Sequence, residues 1–315
     1  MRFGSVTAAA RNRVSLPHSG APTPPDEANL SAEVMIEAAA DPCAPVPAGG
    51  EVPPGPSSES RRGGVTLEVV IPARNEERRL PETLEVLCDY LAGQSYTASI
   101  VVVDNGSVDR TPDIVSGWPK TPVNVHLVGC STPGKGAAVR RGVLTSTADF
   151  IGFMDADLAT PVDTLDRVMP LLRQGNPIVV GSRRCAGAAY EAAQPLTRRI
   201  CGEGFRRLAR SVVDNVHDTQ CGFKFFRGDV ARTLFAACQI NGFAFDLEVL
   251  AIAQRSGCPA IEIPVRWTAR DGSTLRLATH GREIARELAN IRHTVRRLDR
   301  SRHSEMVSVR GALAG

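Results

Sequence analysis

The chain has 315 residues, 43% of them hydrophobic and 23% charged, the composition of an ordinary globular protein, and no stretch nears the ~20 continuous apolar residues of a membrane span. A formal charge of +3 and only 5% aromatic residues argue against a nucleic-acid partner, which would call for a basic surface and stacking platforms. The 8 cysteines form no Cys-X-X-Cys pair, so neither a zinc cluster nor a redox motif is predicted, and reduced thiols without a disulfide framework are expected.

Residues 1–64 are rich in Pro, Ala, Gly and Ser and lack apolar periodicity, so they are read as a disordered arm. From Val65 onward apolar runs alternate with amphipathic segments. The predicted order is strand 67–72, helix 80–92, strand 99–104, helix 110–117, strand 123–128, helix 136–146, strand 150–154, helix 162–173 and strand 178–181. Such alternation predicts a mostly parallel sheet. Pro81 and Pro112 fall in first turns, where the missing N–H costs nothing, and Asp109 can cap the second helix.

Beyond 181 the spacing loosens, with helices predicted at 196–213, 229–237 and 245–256, a strand at 260–267 and a last helix near 281–299. That last helix sets Ile284, Leu288, Ile291, Val295 and Leu298 on one face and five arginines elsewhere. Packing on the sheet is one reading, and arginines facing anionic lipid is the other. The domain limits expected are 1–64 for the arm, 65–275 for the main domain, 276–302 for the basic amphipathic helix and 303–315 for a disordered tail.

The polar residues that could carry chemistry follow the strands. Phe150-Ile151-Gly152-Phe153-Met154 runs into Asp155-Ala156-Asp157, and two carboxylates at that spacing on an extended chain suit Mg²⁺ or Mn²⁺, which could hold a diphosphate. Ile71-Pro72-Ala73-Arg74-Asn75-Glu76-Glu77 and Asp104-Asn105-Gly106-Ser107 switch from apolar to polar where a nucleotide could lie. Glu76 at a helix dipole and Asn105-Gly106 as a plain turn are the competing readings.

Gly129 through Gly136 fits the spacing of a phosphate loop, but Gly136 has no hydroxyl for a metal, which argues against a nucleoside triphosphatase and leaves Lys135 as a phosphate contact. Gly181-Ser182-Arg183 ends a strand with a guanidinium able to grip a diphosphate. Asp218-Thr219-Gln220-Cys221-Gly222-Phe223-Lys224 precedes an apolar strand, and Asp246 and Glu248 stand two apart at a helix start, where capping and acceptor handling are both open. The segment 267–273 reads as a polar turn that could cover the donor.

Taken in order, these motifs resemble family 2 inverting glycosyltransferases over roughly 65–275. The run 218–224, Ala244-Phe245-Asp246 with Glu248, and Trp267 with Gly272-Ser273 are most similar to the dolichyl-phosphate β-glucosyltransferases and their polyprenyl-phosphate relatives. Asn105, where the family commonly has a second Asp, and Arg74 depart from the pattern.

The resemblance implies a GT-A fold, a single Rossmann-like α/β domain, with a UDP-glucose donor first, GDP-mannose next, and a polyprenyl or dolichyl phosphate acceptor. A soluble small-molecule acceptor, a nucleoside or secondary metabolite, is the alternative. It also implies that Pro72, Glu76 and Asp104 meet the nucleoside, that Asp155 and Asp157 hold the metal, and that Arg183 and Lys224 meet charged acceptor or diphosphate groups. Gln220 and Asp246 would line the sugar or acceptor pocket. A cytoplasmic enzyme with a peripheral contact at the inner membrane face is the corresponding expectation.

Overall fold

A computed structural model describes residues 65–190, 209–268 and 286–297. Its elements in chain order are β1 (Leu67–Ala73), α1 (Leu80–Ala92), β2 (Ala98–Asp104), α2 (Thr111–Ser116), β3 (Asn124–Gly129), α3 (Lys135–Thr145) and β4 (Phe150–Met154). They continue with a 3-10 turn (Val162–Thr164), α4 (Leu165–Arg173), β5 (Ile178–Ser182), β6 (Ala189–Tyr190), β7 (Phe223–Arg227), α5 (Gly228–Ala237), α6 (Phe245–Arg255), β8 (Ala260–Pro264) and β9 (Arg266–Trp267). A further helix, α7, covers 286–297.

Seven strands form one sheet in the order β3-β2-β1-β4-β7-β5-β8. All neighbours are parallel except β7, which runs antiparallel between β4 and β5. The sheet is therefore mixed at one position and otherwise parallel as expected. The direction of travel reverses between β1 and β4, which are adjacent although β2 and β3 intervene in sequence. Such a switch point opens a crevice at the carboxyl ends of the strands.

Alternation along the strands divides the core into two layers. Leu67, Val69 and Ile71 of β1 face Leu80, Leu84, Leu87, Leu165, Val168 and Leu172 from α1 and α4. Val70 turns the other way, toward Val139 and Val143 of α3, and Phe153, Phe226, Phe235 and Phe245 fill the same layer. Helices on both faces explain why the strands read as nearly continuous apolar runs rather than alternating ones.

Several predicted limits shift for local reasons. Pro72 sits in β1, whose pairing with β4 ends at Val70, so its missing N–H falls where that neighbour has already left. The predicted strand 260–267 is broken at Val265, whose N–H bonds to Ser182 O. Beyond it, β9 pairs with β6 in a separate two-stranded sheet.

Leu288, Ile291 and Val295 of α7 are buried in the same core layer as α5 and α6, so the apolar face of this helix packs on the protein. Arg286, Arg296 and Arg297 lie on its exposed side. Among the described residues no helix is long and apolar enough to cross a membrane. Cys258 is disulfide-bonded, which corrects the expectation that every thiol is reduced. The arm 1–64, the tail 303–315, most of helix 196–213, most of the turn 267–273, and Ile284, Arg282 and Leu298 lie outside the described residues.

Candidate active site

The polar segments that follow β1 and β2 are laced together by reciprocal bonds. The N–H groups of Asn75 and Glu76 donate to Ser107 Oγ (2.9 Å) and Thr111 Oγ1 (2.8 Å), and that of Glu77 donates to Asp109 Oδ2 (3.1 Å). In return Val108 N–H donates to Asn75 Oδ1 (2.9 Å), and Asn75 adopts φ 58°, a conformation Asn tolerates better than most residues. Asp109 also accepts the Thr111 N–H at the start of α2, at 3.0 Å. Much of this motif thus builds the rim of the crevice.

Asp104 receives the Ser107 N–H at 3.3 Å. Glu76, expected at the nucleoside, is forked onto Arg79 instead, with Nε and Nη2 each 2.7 Å from its oxygens. Burial raises the Glu76 carboxyl above its ordinary range despite Arg79, and the charges of Asp157 and Asp155 add to that rise. The three carboxylates therefore feel one another across the crevice.

β4 ends at Met154, so Asp155 and Asp157 stand on a turn rather than on the strand, and their proximity does not come from strand alternation. Thr83 Oγ1 donates to the carbonyl of the buried Ala156 at 2.8 Å and pins that turn to α1. Asp157 Oδ1 accepts the Ala159 N–H at 3.1 Å. Burial first, and then the charge of Asp155, push the Asp157 carboxyl upward.

Lys135, the first residue of α3, places Nζ 2.5 Å from Asp155 Oδ1. Burial works against its charge, but Asp155 and then Asp246 outweigh it, and the ammonium titrates above its ordinary value. Behind it lies a second ion pair in which Lys224, fully buried, donates to Asp246 Oδ1 and to Cys221 O (2.6 Å). Burial raises the Asp246 carboxyl more than Lys224 and Lys135 lower it. Two lysines and two aspartates thus alternate inward from the crevice.

Lys224, expected to meet acceptor or diphosphate charges, is therefore committed to Asp246. Glu248, which with Asp246 is the carboxylate that could serve as a base toward a hydroxyl acceptor, is buried and accepts the N–H groups of Gln239 (3.0 Å) and Ile240 (2.8 Å). It ties down the loop before α6 and does not cap its own helix.

Arg183 is likewise anchored. Its Nε and Nη2 reach Asp218 Oδ2 and Oδ1 at 2.7 and 2.9 Å, its backbone N–H reaches Oδ2 at 2.9 Å, and the guanidinium stacks over Trp267 at 5.6 Å. Burial alone would raise the Asp218 carboxyl; hydrogen bonding and charge from Arg183 overcome it and hold the group down at about 2. Among the described residues the buried Gln220 Nε2 has no hydrogen-bond partner, an amide donor without an acceptor beside this pair.

Two carboxylates on a turn, with Asp157 raised by burial and by the charge of Asp155, are a hard-oxygen pair that a divalent cation would relieve. Among the described residues no group of three or more His, Cys, Asp or Glu gathers as a metal site. The pair fits Mg²⁺ or Mn²⁺ of the kind that takes its other ligands from a diphosphate and water.

A residue the motif reading passed over is Asn105, treated there as a turn. Its buried side chain bonds three backbone groups of the glycine-rich loop that precedes Lys135. The adjacent Asn-Gly gave no signal of this, because the partners lie 25 to 29 residues away.

The family model described as "Glycosyl transferase family 2" matches residues 68–235. A dolichyl-phosphate beta-glucosyltransferase of Dictyostelium discoideum is 34% identical over 242 residues, covering 72% of this chain and 74% of that one. The protein of the same name from Drosophila melanogaster is 36% identical over 225 residues, with 66% and 69% covered. In structure, glucosyl-3-phosphoglycerate synthase of Mycobacterium tuberculosis, solved with Mn²⁺ and UDP-glucose, matches with a TM-score of 0.56 at 20% identity, over 74% of this chain and 79% of that one.

Proposed function

Because the chain belongs to glycosyl transferase family 2 and has the GT-A fold of that kind of enzyme, we propose that it moves glucose from UDP-glucose to a polyprenyl phosphate of the dolichyl type. The transfer would be one in-line displacement at the anomeric carbon, inverting an α-linked donor to a β product. The named relatives support both sugar and acceptor class.

The observation that carries this reading is the commitment of both candidate bases. Asp246 is paired with the fully buried Lys224, and Glu248 accepts two backbone N–H groups. A hydroxyl acceptor needs a carboxylate placed to take its proton as attack proceeds. A phosphate monoester brings an oxyanion at neutral pH and needs none.

Residue roles follow. Asp155 and Asp157 would hold Mg²⁺ or Mn²⁺, which when bound supplies electrostatic stabilisation of the departing diphosphate. Lys135 neutralises Asp155 and adds positive charge where the diphosphate leaves. Lys224 orients Asp246 and opposes the rise that burial imposes on its carboxyl. Asp218 holds the Arg183 guanidinium in one plane for an anionic oxygen of acceptor or donor, and Gln220 offers its amide to a sugar or acceptor oxygen. Pro72 and Asp104 border the nucleoside end, with Glu76 fixing the rim through Arg79.

The catalytic unit is taken to run from 65 through α7, whose apolar face completes the core, while its exposed arginines form a peripheral contact with anionic lipid at the inner membrane face. The test is incubation with Mn²⁺ and radiolabelled UDP-glucose or GDP-mannose, with and without dolichyl phosphate. Label should enter the organic phase with UDP-glucose and lipid phosphate together. Label confined to a water-soluble product would replace the lipid with a soluble acceptor.

A further inference from the structure

We infer that Asn105 is a positioning residue: it shapes the loop at 129–134 and thereby delivers Lys135 to Asp155. This rests on the reading of Lys135 and Asp155 as part of the donor site. Asn105 is 8% exposed, and its own N–H is bonded to Ala73 O at 2.9 Å, which fixes it to the end of β1. From there Nδ2 donates to Thr132 O (2.7 Å) and Cys130 O (3.2 Å), while Oδ1 accepts the Gly134 N–H (2.7 Å).

This pattern needs a group that donates twice and accepts once within one planar unit, which is the amide inventory and not the carboxylate one. An aspartate of the same shape could keep the Gly134 N–H, but its second oxygen would face two carbonyl oxygens with no proton between them. Gly134 has φ +122°, and a Cβ there would stand 2.1 Å from Asn241 O on the opposite side. Asn105 and Asn241 thus bracket the peptide immediately before Lys135.

The test uses Asn105→Asp and Asn105→Ala in the full chain, with UDP plus Mn²⁺ as the calorimetric probe between about pH 5.5 and 8. With one bonded carbonyl pair facing a charge, Asn105→Asp should bind about 10- to 100-fold more weakly than wild type at the alkaline end. Burial should raise the new carboxyl, so the ratio to wild type at each pH narrows as acid restores a donor. Asn105→Ala should be weakened without that recovery. On a Lys135→Ala background Asn105→Asp should cost nothing further, since both act through one group.

Wild-type binding by Asn105→Asp, a defect independent of pH, or full additivity with Lys135→Ala would each overturn the inference. If the wild type itself binds no UDP with Mn²⁺, it is the donor reading that fails. Amide exchange over 129–137 then decides the Asn105 inference separately: faster exchange in Asn105→Ala supports it, and unchanged exchange overturns it.

Discussion

Gly222 and Asp155 approach so closely that a Cβ on the glycine would stand 2.1 Å from Asp155 Oδ2. The glycine belongs to the run that leads into β7, and the aspartate to the turn that follows β4. Since β4 and β7 pair antiparallel, with Met154 opposite Phe223, the sheet itself forces these two positions together. The absence of a side chain at 222 is what leaves room for the carboxylate.

Gly222→Ala should therefore displace Asp155 while leaving the buried layers intact. A shift near 1 Å at a reacting centre can cost about 100-fold, and that loss is expected in kcat/KM for the donor. Steady-state kinetics alongside thermal melting check it; an unchanged kcat/KM would show that Asp155 does not need its observed position.

The buried Lys224 and Asp246 pair predicts a separation of stability from activity. Lys224→Met or Asp246→Leu alone leaves an uncompensated buried charge and should destabilise by about 3–5 kcal/mol. The double substitution should recover most of that in urea unfolding yet remain inactive, because the chain of charges reaching Lys135 is gone. Recovery of activity with stability would remove the pair from the site.

Asp218 makes the protein acid-sensitive in a defined window. Its carboxyl is lowered from 3.8 to about 2 in the fold, so the unfolded chain binds the proton first as pH falls. The associated stability is present above pH 4 and is lost on descending toward pH 2, on the order of 2 kcal/mol in all. Chemical unfolding at pH 2, 4 and 7 should show this loss in the wild type and a shallower one in Asp218→Asn.

Asp157→Ala should weaken Mn²⁺-dependent binding of UDP by at least about 10-fold, as loss of one of two carboxylate ligands predicts. Calorimetry with and without the metal checks it, since metal-free binding should change much less. Equal binding in variant and wild type would take Asp157 out of the metal site.

Much of the frame was legible because it rests on local patterns. Helix 80–92 and strand 150–154 fall on their predicted limits, set by a first-turn proline and by a short apolar run ending in acids. The strands' carboxyl ends carried the polar switches that mark the crevice. What stayed hidden depends on pairing across distance. Nothing near Arg183 announces that Asp218 will close its fork, or near Lys224 that Asp246 will take its proton-bearing end, because 35 and 22 residues separate the partners. The two aspartates just past strand 150–154 are expected to share one side of an extended chain, because the apolar run before them is extended, whereas the chain turns once Met154 is passed.

The most direct test of the proposed chemistry compares two acceptors that share one chain: dolichyl phosphate and dolichol, each presented in the same detergent with Mn²⁺ and labelled UDP-glucose. With Asp246 and Glu248 both engaged inside the protein, only the acceptor that carries its own oxyanion should gain label. Comparable glucosylation of dolichol would require a base at the acceptor hydroxyl and would contradict the account.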